Sequence, residues 1–237
     1  MRPNYWVKNL LVFSPLFFAN SYRVETLLPA IEIFVVFCLA SSGSYILNDI
    51  FDRKQDLFHP FKKRRPVASR KLSLSSAILF SLLLQAVSAL LAFHVSIESA
   101  LVTLAFLAVQ SLYTVLLQKF TLTDVIFIAI GYLLRTAAGV VASGVTVSPW
   151  FLLCVGFLAL YLGFVKRRLE LTGSYSLSSG TLNILSHYSL EFLTLIERTC
   201  LACILVIYVL WTVLGSHSPW MMATIPFVFY GLFKHQA

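Results

Sequence analysis

The residues whose types and spacing can do chemistry are concentrated between positions 48 and 56. Asn48 is followed by Asp49, Asp52 and Asp56 in the pattern N-D-x-x-D-x-x-x-D. On a helix of 3.6 residues per turn, the three carboxylates fall within an arc of about 60°. Such crowding is unfavourable unless a cation lies between the carboxylates, and Mg²⁺ typically binds through one or two carboxylates plus substrate phosphates. The segment therefore predicts a Mg²⁺ site for a diphosphate.

A cationic run follows the acidic segment. Positions 59–66 read H-P-F-K-K-R-R-P and include Lys62 and Arg65. Taken alone, a basic cluster beside a membrane helix more often marks topology or contacts anionic lipid. Because Lys and Arg donate to phosphate oxygens, the acidic and basic segments together predict one complementary site. The alternative is a solvated acidic helix end that pairs with Arg53 and Lys54.

Two further charged residues share one apolar segment. Asp124 opens it, and Arg135 follows eleven residues later, about 16 Å deeper at 1.5 Å per residue. An ionisable group at that depth in a membrane is costly and indicates function by default. The alternative is that Arg135 merely pairs with a carboxylate such as Glu32.

A second charged group reads Lys166-Arg167-Arg168-Leu169-Glu170. Glu170 lies one helical turn from Lys166 and Arg167, so the group can present a second phosphate or metal contact opposite the first. The alternative is a topology signal with no role in chemistry.

The elements that position these residues are membrane helices. The chain has 237 residues, of which 59% are hydrophobic and only 12% charged, outside the usual balance of a soluble globular domain. Apolar runs of about 20 residues recur along the chain, the length that a helix needs to cross about 30 Å of hydrocarbon. We expect an all-α, polytopic transmembrane helix bundle that forms a single domain over residues 1–237.

The runs predict about eight spans. Because Lys8 and Asn9 interrupt the first, that segment is alternatively interfacial or re-entrant. The predicted spans are Tyr5–Asn20, Leu27–Leu47, Ser75–Val95, Ser99–Leu117, Asp124–Ser143, Ser148–Val165, Phe192–Leu214 and Trp220–Phe233.

The net charge is +8. Because the basic residues are concentrated in particular loops, this charge indicates membrane topology and not nucleic-acid binding. Basic residues concentrate in the 51–74 loop, at Lys119 and at positions 166–168, whereas the intervening loops contain only Arg23. By the positive-inside rule, the basic loops and the N-terminus with Arg2 lie in the cytoplasm. The chain is thus expected to be a multi-pass protein of the inner (plasma) membrane.

The acidic pattern on a polytopic scaffold resembles the UbiA superfamily of membrane prenyltransferases. A narrower resemblance, to decaprenyl-phosphate phosphoribosyltransferases, covers nearly the whole chain. The matching stretches are R-P-x-x-W-x-K-N at 2–9, the acidic motif with H-P-x-K-x-x-R-P at 59–66, the segment 124–139 with L-R-T-A-A-G, K-R-x-x-E-L at 166–171 and Y-S-L-E-F-L at 188–193.

The narrower resemblance implies Mg²⁺-dependent transfer of 5-phosphoribose from phosphoribosyl pyrophosphate to a polyprenyl phosphate, with release of pyrophosphate, in cell-wall precursor synthesis. It implies that the three aspartates hold the metal and pyrophosphate and that Lys62 and Arg65 bind phosphate. Lys8 or Arg135 would anchor the lipid phosphate. The remaining implied substrate contacts are Asn48, Asp124, Lys166, Arg167, Glu170 and Tyr188.

The family is generally built from nine spans, one more than this sequence provides. Two other functions stay open. A conventional prenyltransferase would move an isoprenoid from its pyrophosphate to an aromatic or other acceptor, but it typically uses a second aspartate-rich motif where this chain has only Glu170. A non-catalytic transporter or lipid-binding protein would use the acidic stripe as a cation site. Oligomerisation is possible in all three cases.

Overall fold

The computed structural model describes residues 3–58, 60–115, 122–172, 188–215 and 219–236, and every regular element within these ranges is helical. Arg2, His59 and Lys119, which entered the sequence patterns, lie outside them. The long helices are α2 (Val24–Phe51), α4 (Leu74–Val95), α5 (Ile97–Val115), α6 (Thr123–Ser143), α7 (Pro149–Leu171) and α8 (Leu190–Leu210). The shorter segments are a 3₁₀ segment (Pro3–Phe13), α1 (Ser14–Phe18), α3 (Arg53–Asp56), a 3₁₀ turn (Lys62–Arg64), a π turn (Trp211–Gly215), a 3₁₀ segment (Pro219–Thr224) and α9 (Ile225–Gln236).

Serine side chains define where three of the long helices begin. The Oγ atoms of Ser73, Ser148 and Ser189 each accept a hydrogen bond from a backbone N–H in the first turn of α4, α7 and α8. These caps satisfy donors that have no partner within the helix. At the other end of α6, Gly144 adopts a left-handed conformation with φ of 65°, which suits a glycine after a helix C-terminus. Local sequence therefore determines the helix ends.

Six helices are long and apolar enough to cross a membrane among the described residues: α2, α4, α5, α6, α7 and α8 with its π-turn extension. They confirm an all-helical, multi-pass architecture. The first predicted span is instead divided between the 3₁₀ segment and α1. The last is divided between Pro219–Thr224 and the 12-residue α9, which alone rises only about 18 Å. Whether these two segments also cross the membrane stays a prediction.

The outer surface of the bundle is apolar, as lipid requires. One face of α4 exposes Leu79, Leu83, Leu90 and Phe93, with Leu90 at 70%. Soluble proteins rarely expose such continuous apolar stripes. Conversely, the buried residues include Asn9, Asp124, Arg135 and Glu170. Apolar side chains outside and ionisable groups inside are the distribution expected of a membrane protein with an internal polar site.

The helices pack in two groups joined through α6. In the first group, α2 packs on α4 and α5; in the second, α7 packs on α8; α6 contacts α2, α5, α7 and the 3₁₀ segment. The approach of that segment to α6 requires Gly139, since a Cβ there would lie 2.0 Å from the carbonyl oxygen of Val12. This contact brings Lys8 and Asn9 beside Arg135 of α6.

Candidate active site

The acidic motif lies where α2 ends. The predicted uninterrupted helix instead ends at Phe51, with a turn at Asp52 before α3. The helical hydrogen-bond spacing nevertheless continues, because the N–H of Asp52 bonds to the Asn48 carbonyl at 2.9 Å and the N–H of Asp56 to the Asp52 carbonyl at 2.9 Å. The motif therefore retains the spacing that places its first and last carboxylates on one side.

Arg65 joins the first and last carboxylates of the motif. Its Nη1 atom lies 3.1 Å from Oδ1 of Asp49 and 2.7 Å from Oδ2 of Asp56. The prediction that a cation lies between crowded carboxylates is met in part by this guanidinium. These bridges do not support the alternative in which the carboxylates pair with Arg53 and Lys54.

Asp52, the middle carboxylate of the motif, has a different environment from the other two. The amide of Asn48 donates to its Oδ2 at 2.7 Å, and the charges of Arg65 and Lys62 also favour its ionised form. Burial and the neighbouring Asp56 outweigh these effects and raise the pKa of Asp52 above its ordinary value. The protonation of Asp52 is therefore sensitive to both burial and neighbouring charge.

The donors of the motif suit a hard divalent cation. They are carboxylate and amide oxygens, the ligands that Mg²⁺ accepts, and Mg²⁺ commonly completes its shell with water and substrate phosphate. Within the ranges given above, no three His, Cys, Asp or Glu side chains converge closely enough to hold a metal ion alone. The residues therefore fit a cation that arrives with a phosphorylated ligand, rather than a closed metal site.

The second charged group is a buried ion-pair network at the same end of the bundle. Arg167 is 5% exposed and pairs with both Asp124 of α6 and Glu170 of its own helix. Lys166 lies 3.8 Å from Glu170, with its side chain 50% exposed. The predicted phosphate or metal contacts therefore differ in exposure. Arg167 and Glu170 neutralise each other inside the protein, whereas Lys166 is half exposed.

Tyr188 anchors the start of α6 to the start of α8. Its hydroxyl accepts a hydrogen bond from the Leu122 N–H at 2.7 Å and donates to Oδ1 of Asp124 at 3.3 Å. Leu122 has a φ of 67°, which is costly for a residue other than glycine. Burial raises the pKa of Tyr188 to about 12, so the hydroxyl stays protonated and able to donate.

Arg135 lies deep in the bundle and is 4% exposed. Its Nε donates to Asn9 Oδ1 at 2.8 Å and its Nη1 to the Gly131 carbonyl at 2.6 Å. The guanidinium also lies 4.7 Å from the Phe106 ring centroid. No carboxylate of the described chain lies within ion-pair distance of it, so the predicted alternative of pairing with Glu32 is wrong.

Lys8 neighbours this buried arginine across an aromatic ring. The Lys8 Nζ lies 5.8 Å from the centroid of Tyr132, and the Arg135 guanidinium carbon lies 5.7 Å from the same centroid. Lys8 also lies 5.5 Å from the centroid of Tyr5. The structure thus places Lys8 beside Arg135, the two residues that were alternative predictions for the contact with the lipid phosphate.

Two residues in this region were not predicted as site residues. Asn9 is fully buried and orients Arg135. Tyr113 of α5 lies within electrostatic range of both Asp52 and the Arg167 network. The spacing of Phe106, Gln110 and Tyr113 along one face of α5 is the signal that identifies this residue, because i, i+4 and i+7 positions share a helix face. Tyr113 is therefore electrostatically coupled to both charged groups.

Comparison with known proteins identifies the family of the chain. Residues 10–237 match the model of the UbiA prenyltransferase family. The chain is 32% identical over 216 residues to a decaprenyl-phosphate phosphoribosyltransferase from Mycolicibacterium smegmatis, covering 89% of this chain and 68% of the relative. It is 30% identical over 238 residues to the enzyme of that name from Corynebacterium glutamicum, covering 96% and 72%.

The fold is similar to that of a solved UbiA homologue from Archaeoglobus fulgidus, whose structure holds DMAPP and Mg²⁺. The TM-score is 0.80 at 16% identity, over 98% of this chain and 83% of the homologue. The match of the family model to nearly the whole chain and the level of identity to its relatives lead to one conclusion: the chain belongs to the UbiA prenyltransferase family, a family of membrane transferases.

Proposed function

We propose that this chain is a polyprenyl-phosphate phosphoribosyltransferase that transfers 5-phosphoribose from phosphoribosyl pyrophosphate to a polyprenyl phosphate at the cytoplasmic membrane face. The observation that carries the proposal is the acidic motif at the end of α2, where Asp49 and Asp56 share Arg65 and where burial and Asp56 raise the pKa of Asp52. Clustered carboxylates at a membrane helix end suit a Mg²⁺-bound diphosphate. The relatives named above share the proposed activity by name.

The proposed reaction needs no nucleophile from the protein. A phosphate oxygen of the lipid forms a bond to the anomeric carbon of ribose, while the bond from that carbon to pyrophosphate breaks. Mg²⁺, held by Asp49, Asp52 and Asp56, would offset the charge that develops on the leaving group. Lys62 and Arg65 lie beside the motif and donate to the pyrophosphate oxygens.

The second charged group forms the opposite wall of the proposed site. Arg167 orders Asp124 and Glu170 within the bundle, and Tyr188 fixes the start of α6. Lys166 is half exposed, and its contact with Glu170 is long at 3.8 Å, so it is the member assigned to the 5-phosphate. A typical prenyltransferase has a second aspartate-rich motif here, whereas this chain has Glu170 alone. This difference favours the phosphoribosyl donor over an isoprenoid diphosphate.

An apolar groove offers a place for the lipid chain. It lies between α6 and α7, has a volume of about 700 Å³ and is lined along α6 from Ile126 to Ala137. That length is about 16 Å. Its end at Ile126 is two residues from Asp124, so the groove reaches the charged end of the bundle. We assign it to the isoprenoid of the acceptor.

The test is a transfer assay with purified protein and Mg²⁺. One arm contains labelled phosphoribosyl pyrophosphate and polyprenyl phosphate, and the other contains a labelled polyprenyl diphosphate and aromatic acids. We expect sugar label in the lipid phase, loss of transfer in Asp49→Asn, and retention in the control Glu25→Gln at the opposite end of α2. Transfer only in the isoprenoid arm would contradict the proposal, and so would an active Asp49→Asn protein.

A further inference from the structure

The segment that joins α2 to α4 is attached to the bundle along one side. Arg65 bridges Asp49 and Asp56 of the acidic motif. Two residues further on, Val67 is 4% exposed and packs in an apolar cluster with Ile46 of α2. These contacts define an inner face of the segment. We call its exposed side chains, between positions 53 and 73, the outer face.

The outer face includes large apolar side chains. Phe58 is 88% exposed, Phe61 72% and Leu57 45%. Contact with water is unfavourable for side chains of this kind. The segment joins the ends of two membrane helices, so it lies at a membrane surface. The boundary between headgroups and acyl chains is therefore a place where these side chains can leave water.

The outer face also carries a cluster of cations. Within the described ranges, none of these side chains forms an ion pair, and the exposed members are Lys54, Lys63, Arg64, Arg70 and Lys71. Lys62 and Arg65 of the same run differ from them, because both are partly buried and act on the acidic motif. The basic run thus divides between an inner and an outer function.

Membrane topology alone does not explain this combination. The positive-inside rule requires cations in the loop, but it does not require exposed aromatic side chains beside them. Apolar side chains next to Lys and Arg are typical of a protein surface that lies on a bilayer, where the cations meet headgroup phosphates. A negatively charged lipid surface therefore complements the outer face in both charge and hydrophobicity.

We propose that the outer face of the 53–73 segment binds anionic phospholipid headgroups of the membrane in which the bundle lies. Arg64 and Arg65 are adjacent, so headgroup contact on the outer face stabilises the bridge from Arg65 to the acidic motif on the inner face. The inference goes beyond the proposed function, because neither the sugar donor nor the lipid acceptor takes part in this contact.

The test is hydrogen–deuterium exchange of the whole protein in nanodiscs, without donor, acceptor or Mg²⁺. One nanodisc contains phosphatidylcholine alone, and the other contains phosphatidylcholine mixed with phosphatidylglycerol. A cation near an anionic lipid surface contributes about fivefold to affinity. We therefore expect exchange in the 53–73 segment to be at least about fivefold slower with phosphatidylglycerol, and high salt should reduce this difference.

Variants at exposed positions assign the effect to the outer face. Lys63→Gln combined with Arg64→Gln should abolish the response to phosphatidylglycerol, and Phe58→Ser should weaken it. The matched control combines Arg23→Gln with Lys234→Gln, which removes two exposed cations elsewhere, and it should keep the full response. Because all these side chains are exposed, we expect the variants to fold, and their Tm in phosphatidylcholine nanodiscs verifies this.

Three results would overturn the inference. They are equal exchange of the wild-type segment in the two nanodiscs, an undiminished response in the double variant, and equal protection by inorganic phosphate in phosphatidylcholine nanodiscs. The last result would identify a site for a soluble anion. Failure of sugar transfer with a preserved response to phosphatidylglycerol would instead count against the proposed function alone.

Discussion

The hydroxyl of Tyr188 lies 3.3 Å from Oδ1 of Asp124, although 64 positions separate the two residues. The same hydroxyl accepts the N–H of Leu122, so one side chain holds the backbone and the carboxylate with which α6 begins. Asp124 in turn pairs with Arg167. One wall of the proposed site therefore depends on a tyrosine outside the acidic motif and the basic run.

Tyr188→Phe tests this dependence. The change leaves the Leu122 N–H and one Asp124 oxygen without a partner, and each unsatisfied buried group costs about 1–3 kcal/mol. We expect a lower Tm in detergent and reduced transfer, measured by thermal unfolding and by the labelled-sugar assay. Tyr230→Phe, at a position 68% exposed, is the control. An unchanged Tm in Tyr188→Phe would contradict the assigned contacts.

Arg167 and Lys166 are adjacent, yet their substitution should have different consequences. Arg167→Gln leaves Asp124 and Glu170 buried without a full counter-charge, and breaking such a pair typically costs about 3–5 kcal/mol. Lys166 is half exposed, so Lys166→Gln should cost less than about 1 kcal/mol of stability but raise the KM for the donor. Unfolding and steady-state kinetics on both variants separate the two roles. Equal loss of stability in the two variants would contradict the assignment of a structural role to Arg167 and a donor-binding role to Lys166.

The acid limb of the pH profile should depend on Asp52. Burial and Asp56 raise its pKa, and the Asn48 amide lowers it. Mg²⁺ binds the ionised carboxylate, so the affinity for Mg²⁺ should fall as the pH decreases. This fall should occur at a higher pH than it would for an aspartate with an ordinary pKa. Asn48→Ala removes the bond that favours ionisation and should shift this fall to still higher pH. Apparent Mg²⁺ affinity between about pH 4 and pH 7 is the measurement; a shift to lower pH would contradict the assignment.

Filling the apolar groove should discriminate acceptors by chain length. A Cβ at Gly156 would lie 3.6 Å from Leu133, so Gly156→Leu narrows the groove without a backbone clash. We expect a raised KM for a long polyprenyl phosphate and little change for farnesyl phosphate. Gly231→Leu, where nothing lies within 4 Å of a Cβ, is the control. An equal rise in KM for both acceptors would contradict the assignment of the groove to the isoprenoid chain.

The long helices and the acidic motif could be predicted from the sequence because they depend on local patterns. Apolar runs identify spans regardless of how helices pack, and the spacing of Asp49 and Asp56 survives the helix end at Phe51. The segments 3–18 and 219–236 were less predictable, since 3₁₀ turns divide them and hydropathy does not record backbone geometry.

Partners across the bundle could not be predicted, because they depend on tertiary packing. The pairing of Asp124 with Arg167 and the orientation of Arg135 by Asn9 join residues that are far apart in the chain. The alternative prediction that Arg135 pairs with Glu32 was wrong, because charge alone does not show which helix faces contact each other. Gly139 allows the 3₁₀ segment to approach α6 closely. The need for a glycine at this position is evident only from the structure, where Val12 lies beside it.

The central claim is that the carboxylates of Asp49, Asp52 and Asp56 bind a diphosphate through Mg²⁺, and direct titration of phosphoribosyl pyrophosphate into the purified protein tests it. We predict binding that requires Mg²⁺ in the wild type and that weakens at least about tenfold in Asp49→Asn. Binding of equal strength without Mg²⁺, or binding unaffected by Asp49→Asn, would contradict the claim.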